Sequence, residues 1–195
     1  MMKRFSLAAC LLAASSTLPA FAALKEGDAA PAFTAQASLA GKAFSFSLKD
    51  SLKSGPVVVY FYPAAFTGGC SLQAHTFAVH HAEFVAAGAS IVGVSLDSIA
   101  RLNDFSADPQ SCAGKIAVAS DVDGRIAKAY DLAVREAVAG RKDTRGAEID
   151  HGSAERTTFV VGPDGKIAAT VGGLAPVANV EQALKAVQKL AAAPR

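Results

Sequence analysis

A cysteine at position 70 ends the stretch P-A-A-F-T-G-G-C, residues 63–70. The run before it, V-V-V-Y-F-Y, is apolar, β-branched and aromatic, and reads as a buried strand. The residues after it, L-Q-A-H-T-F-A-V-H-H-A-E-F, read as a helix. Cys70 therefore sits at the first turn of a helix, among backbone N–H groups that have no helical acceptor and at the positive end of the dipole. Those surroundings favour a nucleophilic sulfur. Gly68 and Gly69 leave the approach uncrowded. Thr67 brings a hydroxyl that both donates and accepts, and Pro63 removes a backbone donor and shields the pocket. The set suits attack by sulfur on a small polar electrophile. It equally suits a structural cysteine buried in a tight strand–helix turn, and helix-end physics alone leaves both open.

The chain has two further cysteines, Cys10 and Cys112. Cys10 lies in an N-terminus that reads M-M-K-R, then a short apolar run, then Ala20-Phe21-Ala22. A basic start, an apolar run too short to span a bilayer and a small-x-small end form a secretory signal peptide. Cleavage is expected after Ala22, leaving a mature chain of residues 23–195 that is exported to the periplasm, with no membrane segment. L-A-A-C at residues 7–10 has the form of a lipoprotein box, but only Phe5 to Ala9 precede it as apolar sequence, too little for an h-region. Cleavage also takes Lys3 and Arg4, the whole of the formal net charge of +2. A neutral mature chain without a basic stripe does not point to nucleic acid. Cys70 and Cys112 remain, in a compartment where disulfides persist. They form either a structural disulfide or a working redox pair.

The elements that must position Cys70 follow from the apolar pattern. Phe44 to Leu48 alternates as a short strand. Val57–Tyr62 and Ala89–Leu96 are continuous apolar strands, joined by a helix over residues 71–87 with Phe77, His81, Phe84 and Val85 on one face. Asp97-Ser98 caps a helix over 99–107, and Ile116–Ser120 is a third buried strand. Asp121 and Asp123-Gly124 turn the chain into a short helix, Arg125–Tyr130. Residues 139–155 are polar with no apolar period and read as a long loop. Thr157–Val161 and Ile167–Val171 form a hairpin across Pro163-Asp-Gly-Lys166. Pro176 opens a last helix with Val180, Leu184, Val187 and Leu190 on one face. The order describes one α/β domain with a mixed sheet.

The motifs carry a resemblance. Pro63, Thr67 and Cys70 match the peroxiredoxin signature P-x-x-x-T/S-x-x-C. V-G-V-S-L-D-S (92–98), A-S-D-V-D-G-R-I-A-K-A-Y (119–130) and R-T-T-F-V-V-G-P-D-G-K-I (156–167) follow in the family's order. The chain resembles the AhpC/TSA peroxiredoxins, and among them the bacterioferritin-comigratory, or Q-type, branch. The resemblance implies a thioredoxin-like fold, a central mixed β-sheet flanked by helices. It implies that Cys70 is the peroxidatic cysteine, that Thr67 hydrogen-bonds the thiolate and the peroxide, that Arg156 polarises the O–O bond, and that Pro63 screens the intermediate. It implies no cofactor and no metal, a peroxide substrate, a thioredoxin-like or other dithiol reductant, and a monomer or loose homodimer.

Two positions depart from the pattern. Gly68 stands where proline usually follows the threonine, and His75 stands where many Q-type members carry a resolving cysteine. Cys112, in P-Q-S-C-A-G, is then the resolving candidate, through an intramolecular disulfide that needs local unwinding. A thioredoxin-like oxidoreductase needs C-x-x-C, and Thr67 and Gln73 flank Cys70 at those positions instead. A non-enzymatic domain with an inert disulfide is the remaining rival, separable by peroxide consumption.

Other polar residues have plainer readings. His75, His80 and His81 suggest a metal, but neighbours at 80 and 81 do not face one ligand, and His81 reads as a packed core residue. Asp150, His151 and Glu155 read as a solvated loop, as do Arg141, Lys142 and Arg145, a candidate surface for a reductant. Tyr62 and Phe66 read as packing.

Overall fold

The computed structural model describes residues 23–193. A seven-stranded sheet has strands β1 (Thr34–Leu39), β2 (Lys42–Ser47), β3 (Val57–Phe61), β4 (Ser90–Ser95), β5 (Ala117–Ser120), β8 (Thr157–Val161) and β9 (Ile167–Gly172). Their order is β2-β1-β5-β4-β3-β8-β9. β3, β4 and β5 are parallel neighbours; every other pairing is antiparallel. A separate pair, β6 (Val134–Arg135) and β7 (Ser153–Ala154), fastens the long polar loop at its base. Helices α2 (Gly68–Val79), α3 (His81–Ala86), α4 (Ile99–Ala107) and α6 (Pro176–Ala192) contribute to the core on one face of the sheet. The core on the other face includes α1 (Leu48–Ser51) and α5 (Arg125–Ala129). This is the thioredoxin-like arrangement expected of the sequence.

Burial on both faces explains the continuous apolar run of β3. Val58 and Tyr60 point into the core that holds Cys70 and Cys112. Val57, Val59 and Phe61 point into the other, against Tyr130 and Phe159. In β4, Gly93 is required by its neighbour, since a Cβ there would sit 2.5 Å from Cζ of Tyr60.

The structure corrects several expectations. Thr34–Leu39 is a strand that its mixed composition hid; it pairs with the whole of β2. Leu48 belongs not to that strand but to α1, because the Ser47 side chain accepts the Asp50 N–H and caps a helix there. The helix expected over 71–87 starts at Gly68 and breaks at His80, so Cys70 lies inside the first turn. The break rotates the stripe: Phe77 and Phe84 stay buried, Val85 is exposed, and His81 is half-buried instead of a core residue. His75 is exposed, and His80 pairs with Glu83 across 2.6 Å. The 139–155 stretch is not simply a solvated loop, for Asp143 and Ile149 are buried. The signal peptide, Cys10 and the lipoprotein box lie outside the described residues.

Candidate active site

Thr67 is the N-cap of α2, and its carbonyl accepts from the N–H of Cys70 at 2.9 Å and of Ser71 at 2.8 Å. That turn buries the Cys70 side chain, which is 1% exposed, at the C-terminal end of β3. The N–H groups of Gly68 and Gly69 have no intrahelical acceptor. A Cβ on Gly68 would meet nothing within 4 Å, so the exposed first residue of α2 is uncrowded.

Arg156, the residue before β8, donates from Nη2 to Sγ of Cys70 at 3.3 Å. Antiparallel pairing of β8 with β3 brings it there across 86 residues of chain. Gly69 lies beside it: a Cβ there would be in ordinary contact, 3.4 Å from Nη2 of Arg156 and 3.5 Å from Cγ of Pro176. A second guanidinium nitrogen of Arg156, Nη1, donates to Oε1 of Gln73. Gln73 donates to Oδ1 of Asn179 at 2.9 Å. Asn179 also accepts from the Thr158 hydroxyl at 2.6 Å and donates to the Val171 carbonyl at 2.9 Å. The cation beside the sulfur is therefore held by a buried, satisfied network from α2, α6, β8 and β9. Sequence reading missed Gln73 and Asn179. The signal was available for Gln73 alone, a polar residue one turn beyond Cys70 on the same helix face.

Thr67 is placed differently from expectation. Its hydroxyl donates to the Ala64 carbonyl at 3.0 Å, so the hydrogen is committed to the loop and the lone pairs remain. Pro63 is half-buried at the head of that loop.

Cys112 and Cys70 are both free and share one buried cluster. Ser111 donates its hydroxyl hydrogen to Asp108 across 2.7 Å and accepts from the Ser71 hydroxyl across 3.3 Å, which ties the two cysteine-bearing segments together. Burial, with the charge of Asp108 adding to it, pushes the Cys112 thiol well above the ordinary range. The buried Tyr60 hydroxyl faces the same cluster, and desolvation raises it too. Cys112 lies in turns after α4, followed by Ala113 and Gly114 at φ of 52° and 69°.

The family model for AhpC/TSA matches residues 26–170. The chain belongs to the AhpC/TSA family. A Mycobacterium tuberculosis protein named as a putative peroxiredoxin is 36% identical over 144 residues, 74% of this chain and 82% of that one. The crystal structure of peroxidoxin BcpB from Mycobacterium tuberculosis superposes with a TM-score of 0.71 at 26% identity, covering 86% of this chain and 98% of that one. The bacterioferritin comigratory protein of Xanthomonas campestris, for which alkyl peroxide reduction is described, gives 0.63 at 27% identity, over 80% and 91% of the two chains. This peroxiredoxin is a thiol-dependent peroxidase, an enzyme class that acts on peroxides with thioredoxin-type reductants.

Proposed function

We propose that the chain is an exported peroxidase for hydrogen peroxide and organic hydroperoxides, with Cys70 as the attacking group. The contact between Arg156 Nη2 and Cys70 Sγ, 3.3 Å at the N-terminal end of α2, carries the reading. The Cys70 thiolate attacks the terminal oxygen of R-O-O-H. The S–O bond forms as O–O breaks, sulfur is oxidised to the sulfenic acid, and RO⁻ takes a proton to leave as the alcohol, or water. Arg156 stabilises the charge as it moves from sulfur to the leaving oxygen. The lone pairs of Thr67 accept the peroxide O–H, Pro63 limits water, and the first-turn N–H groups face the incoming oxygens. The activity of the Xanthomonas relative supports alkyl hydroperoxides as substrates.

Cys112 resolves the sulfenic acid. Buried and protonated at rest, the Cys112 thiol gives up its proton as its turn opens; its sulfur attacks Cys70 sulfur, the S–O bond breaks, hydroxide takes a proton and leaves as water, and a disulfide forms for a dithiol protein to reduce. The Ser71–Ser111 bond supports this pairing because it already holds the two segments together. The movement opens the turns around Cys112 and breaks the backbone bonds that hold them, from Ser111 and Ala113 to Asp108 and from Gly114 to Ser106 of α4. Peroxide consumption by wild type, Cys70→Ser and Cys112→Ser tests the scheme. Cys70→Ser is expected to be inactive. Cys112→Ser is expected to complete one turnover and stall, with peroxide-treated wild type carrying the Cys70–Cys112 bridge by peptide mass spectrometry. Sulfinic Cys70 beside a free Cys112 in the wild type would make this a one-cysteine enzyme.

A further inference from the structure

The Ala64–Thr67 loop leads into Cys70, and it is gripped from outside by a buried charge cluster that the peroxide chemistry does not use. The Ala65 N–H donates to Oδ2 of Asp97 at 2.8 Å, and the Ala65 carbonyl accepts from Arg101 Nη2 at 3.0 Å. The Phe66 carbonyl accepts from both the N–H and the hydroxyl of Thr144, at 2.9 and 2.7 Å. Phe66 needs such a grip, because it holds φ at 59°, a left-handed conformation costly for a bulky residue. Its ring lies under the Arg145 guanidinium at 3.2 Å and against Phe105.

The two Ala65 contacts converge on Asp97, directly and through Arg101, and the Asp97 side chain is wholly buried. Oδ2 also accepts from the Ser95 hydroxyl at 2.7 Å. Oδ1 faces Arg101 Nε at 2.8 Å and His151 Nε2 at 2.9 Å. His151 Nδ1 lies 2.7 Å from the carbonyl of Gly152. A carbonyl only accepts, so Nδ1 carries a hydrogen. A carboxylate already accepting from Ala65 and Ser95 also accepts, so Nε2 carries one. Both ring nitrogens are then protonated and His151 is a cation. Arg101 joins Asp97 to the buried Asp143 through a 2.8 Å pair, and Arg145 reaches Asp143 at 3.3 Å, so the three cations His151, Arg101 and Arg145 face two carboxylates.

We infer that His151 is a positioning residue of the peroxidase site: its imidazolium bridges Gly152 and Asp97, and through Asp97 it fixes the Ala65–Phe66 backbone that sets Thr67 and Cys70 against Arg156. The inference rests on the peroxidase reading for its kinetic consequence and on geometry for the clamp. Burial opposes the charge on His151, but the hydrogen bond and charge of Asp97, with the Gly152 carbonyl, outweigh it and raise its pKa above 6.5. Desolvation likewise opposes ionisation of Asp97, and His151, Ser95 and Ala65 outweigh it. The groups facing His151 are Asp97 beyond β4 and Arg101 of α4, with Asp143 and Arg145 behind Arg101 and exposed Asp150 beside it in the chain. Tyr62, behind Asp97, and Cys112 are held protonated by burial and do not titrate in the same range.

A group with a raised folded pKa contributes fully below its unfolded value and loses its contribution as pH rises through the folded one. The clamp therefore holds at pH 6 and loosens as pH rises through the raised value of His151. Ionisation of an attacking thiol raises the rate with pH, so a falling limb has the opposite sign and separates the two. The test is NMR of ¹⁵N-histidine-labelled full-length mature protein from pH 5.5 to 9, with hydrogen peroxide kinetics over the same range. His151 is expected to carry both ring hydrogens at pH 6 and to titrate above 6.5, with the Ala65 and Phe66 amides responding at the same pH. The rate is expected to show a falling limb there. His151→Gln, which keeps a donor without the charge, should lose that limb and react roughly tenfold more slowly at pH 6. A neutral His151 at pH 6, amides that ignore its titration, or a His151→Gln rate profile equal to wild type would overturn the inference. If His151→Gln does not fold, the wild-type titration decides alone. If the wild type ignores peroxide, the peroxidase reading falls while the ring and amide signals still decide the clamp.

Discussion

The group that distinguishes Cys70 from an ordinary buried thiol is the guanidinium beside it. Arg156 faces two demands at once, sulfur through Nη2 and Gln73 through Nη1. Lysine keeps the charge but has one compact ammonium, so it cannot span both partners in the plane that the fork provides. Arg156→Lys is therefore expected to fold and to lose about 10²-fold in the rate of Cys70 oxidation, the loss typical of one misplaced transition-state donor. Competition kinetics against a haem peroxidase would measure it. An unchanged rate would mean that charge alone suffices and the fork geometry is idle. The two separate bonds of the fork, to Cys70 and to Gln73, make that outcome unexpected.

At the scale of elements, the network behind Arg156 converts helix packing into site geometry. Asn179 lies in the first turns of α6 and makes three buried hydrogen bonds, to α2, β8 and β9. Asn179→Ala leaves Gln73 and Thr158 donors and the Val171 carbonyl unpaired, at roughly 1–3 kcal/mol for each group not recovered by water. Thermal unfolding should show a lowered Tm, about 2–4 °C per kcal/mol for a chain of this size, and peroxide turnover should fall with it because Arg156 loses its anchor. A lowered Tm with full turnover would show Gln73 holding Arg156 unaided. Much of this frame was legible in the sequence. The strands β3, β4 and β8, the capped α4 and the α6 stripe follow from local periodicity, and Cys70, Thr67 and Arg156 from ordered motifs. What was hidden is what depends on distant pairing. β1 is recognisable only through β2. The 139–155 loop has no apolar period because its grip on the fold is polar, through Asp143, Thr144 and His151. Asp97, which resembles a helix cap beside Ser98, is claimed by Ala65, Ser95, Arg101 and His151 instead, and Ser98 does the capping.

At the scale of the whole molecule, the described fold takes hold of the chain almost from residue 23. Ala23 and Leu24 pack against the core that contains Tyr130 and Phe159. The Leu24 carbonyl accepts from the Thr170 hydroxyl at 2.7 Å, and the Gly27 N–H donates to the Ile167 carbonyl at 2.9 Å. A signal peptidase cut after Ala22 would leave those anchors intact, whereas a cut a few residues later would remove Leu24. Expression of the full chain in a bacterium with its own export machinery is expected to give periplasmic protein beginning at Ala23, read by N-terminal sequencing or intact mass. Retention of Met1 in a cytoplasmic product would overturn the export reading. A shortened chain beginning at Glu26 is expected to fold with a lower Tm, since it loses the Leu24 contacts but keeps Gly27 and every residue around Cys70. Its peroxide kinetics should match the mature protein at temperatures where both are folded, because the lost anchors serve the sheet face opposite the cysteines.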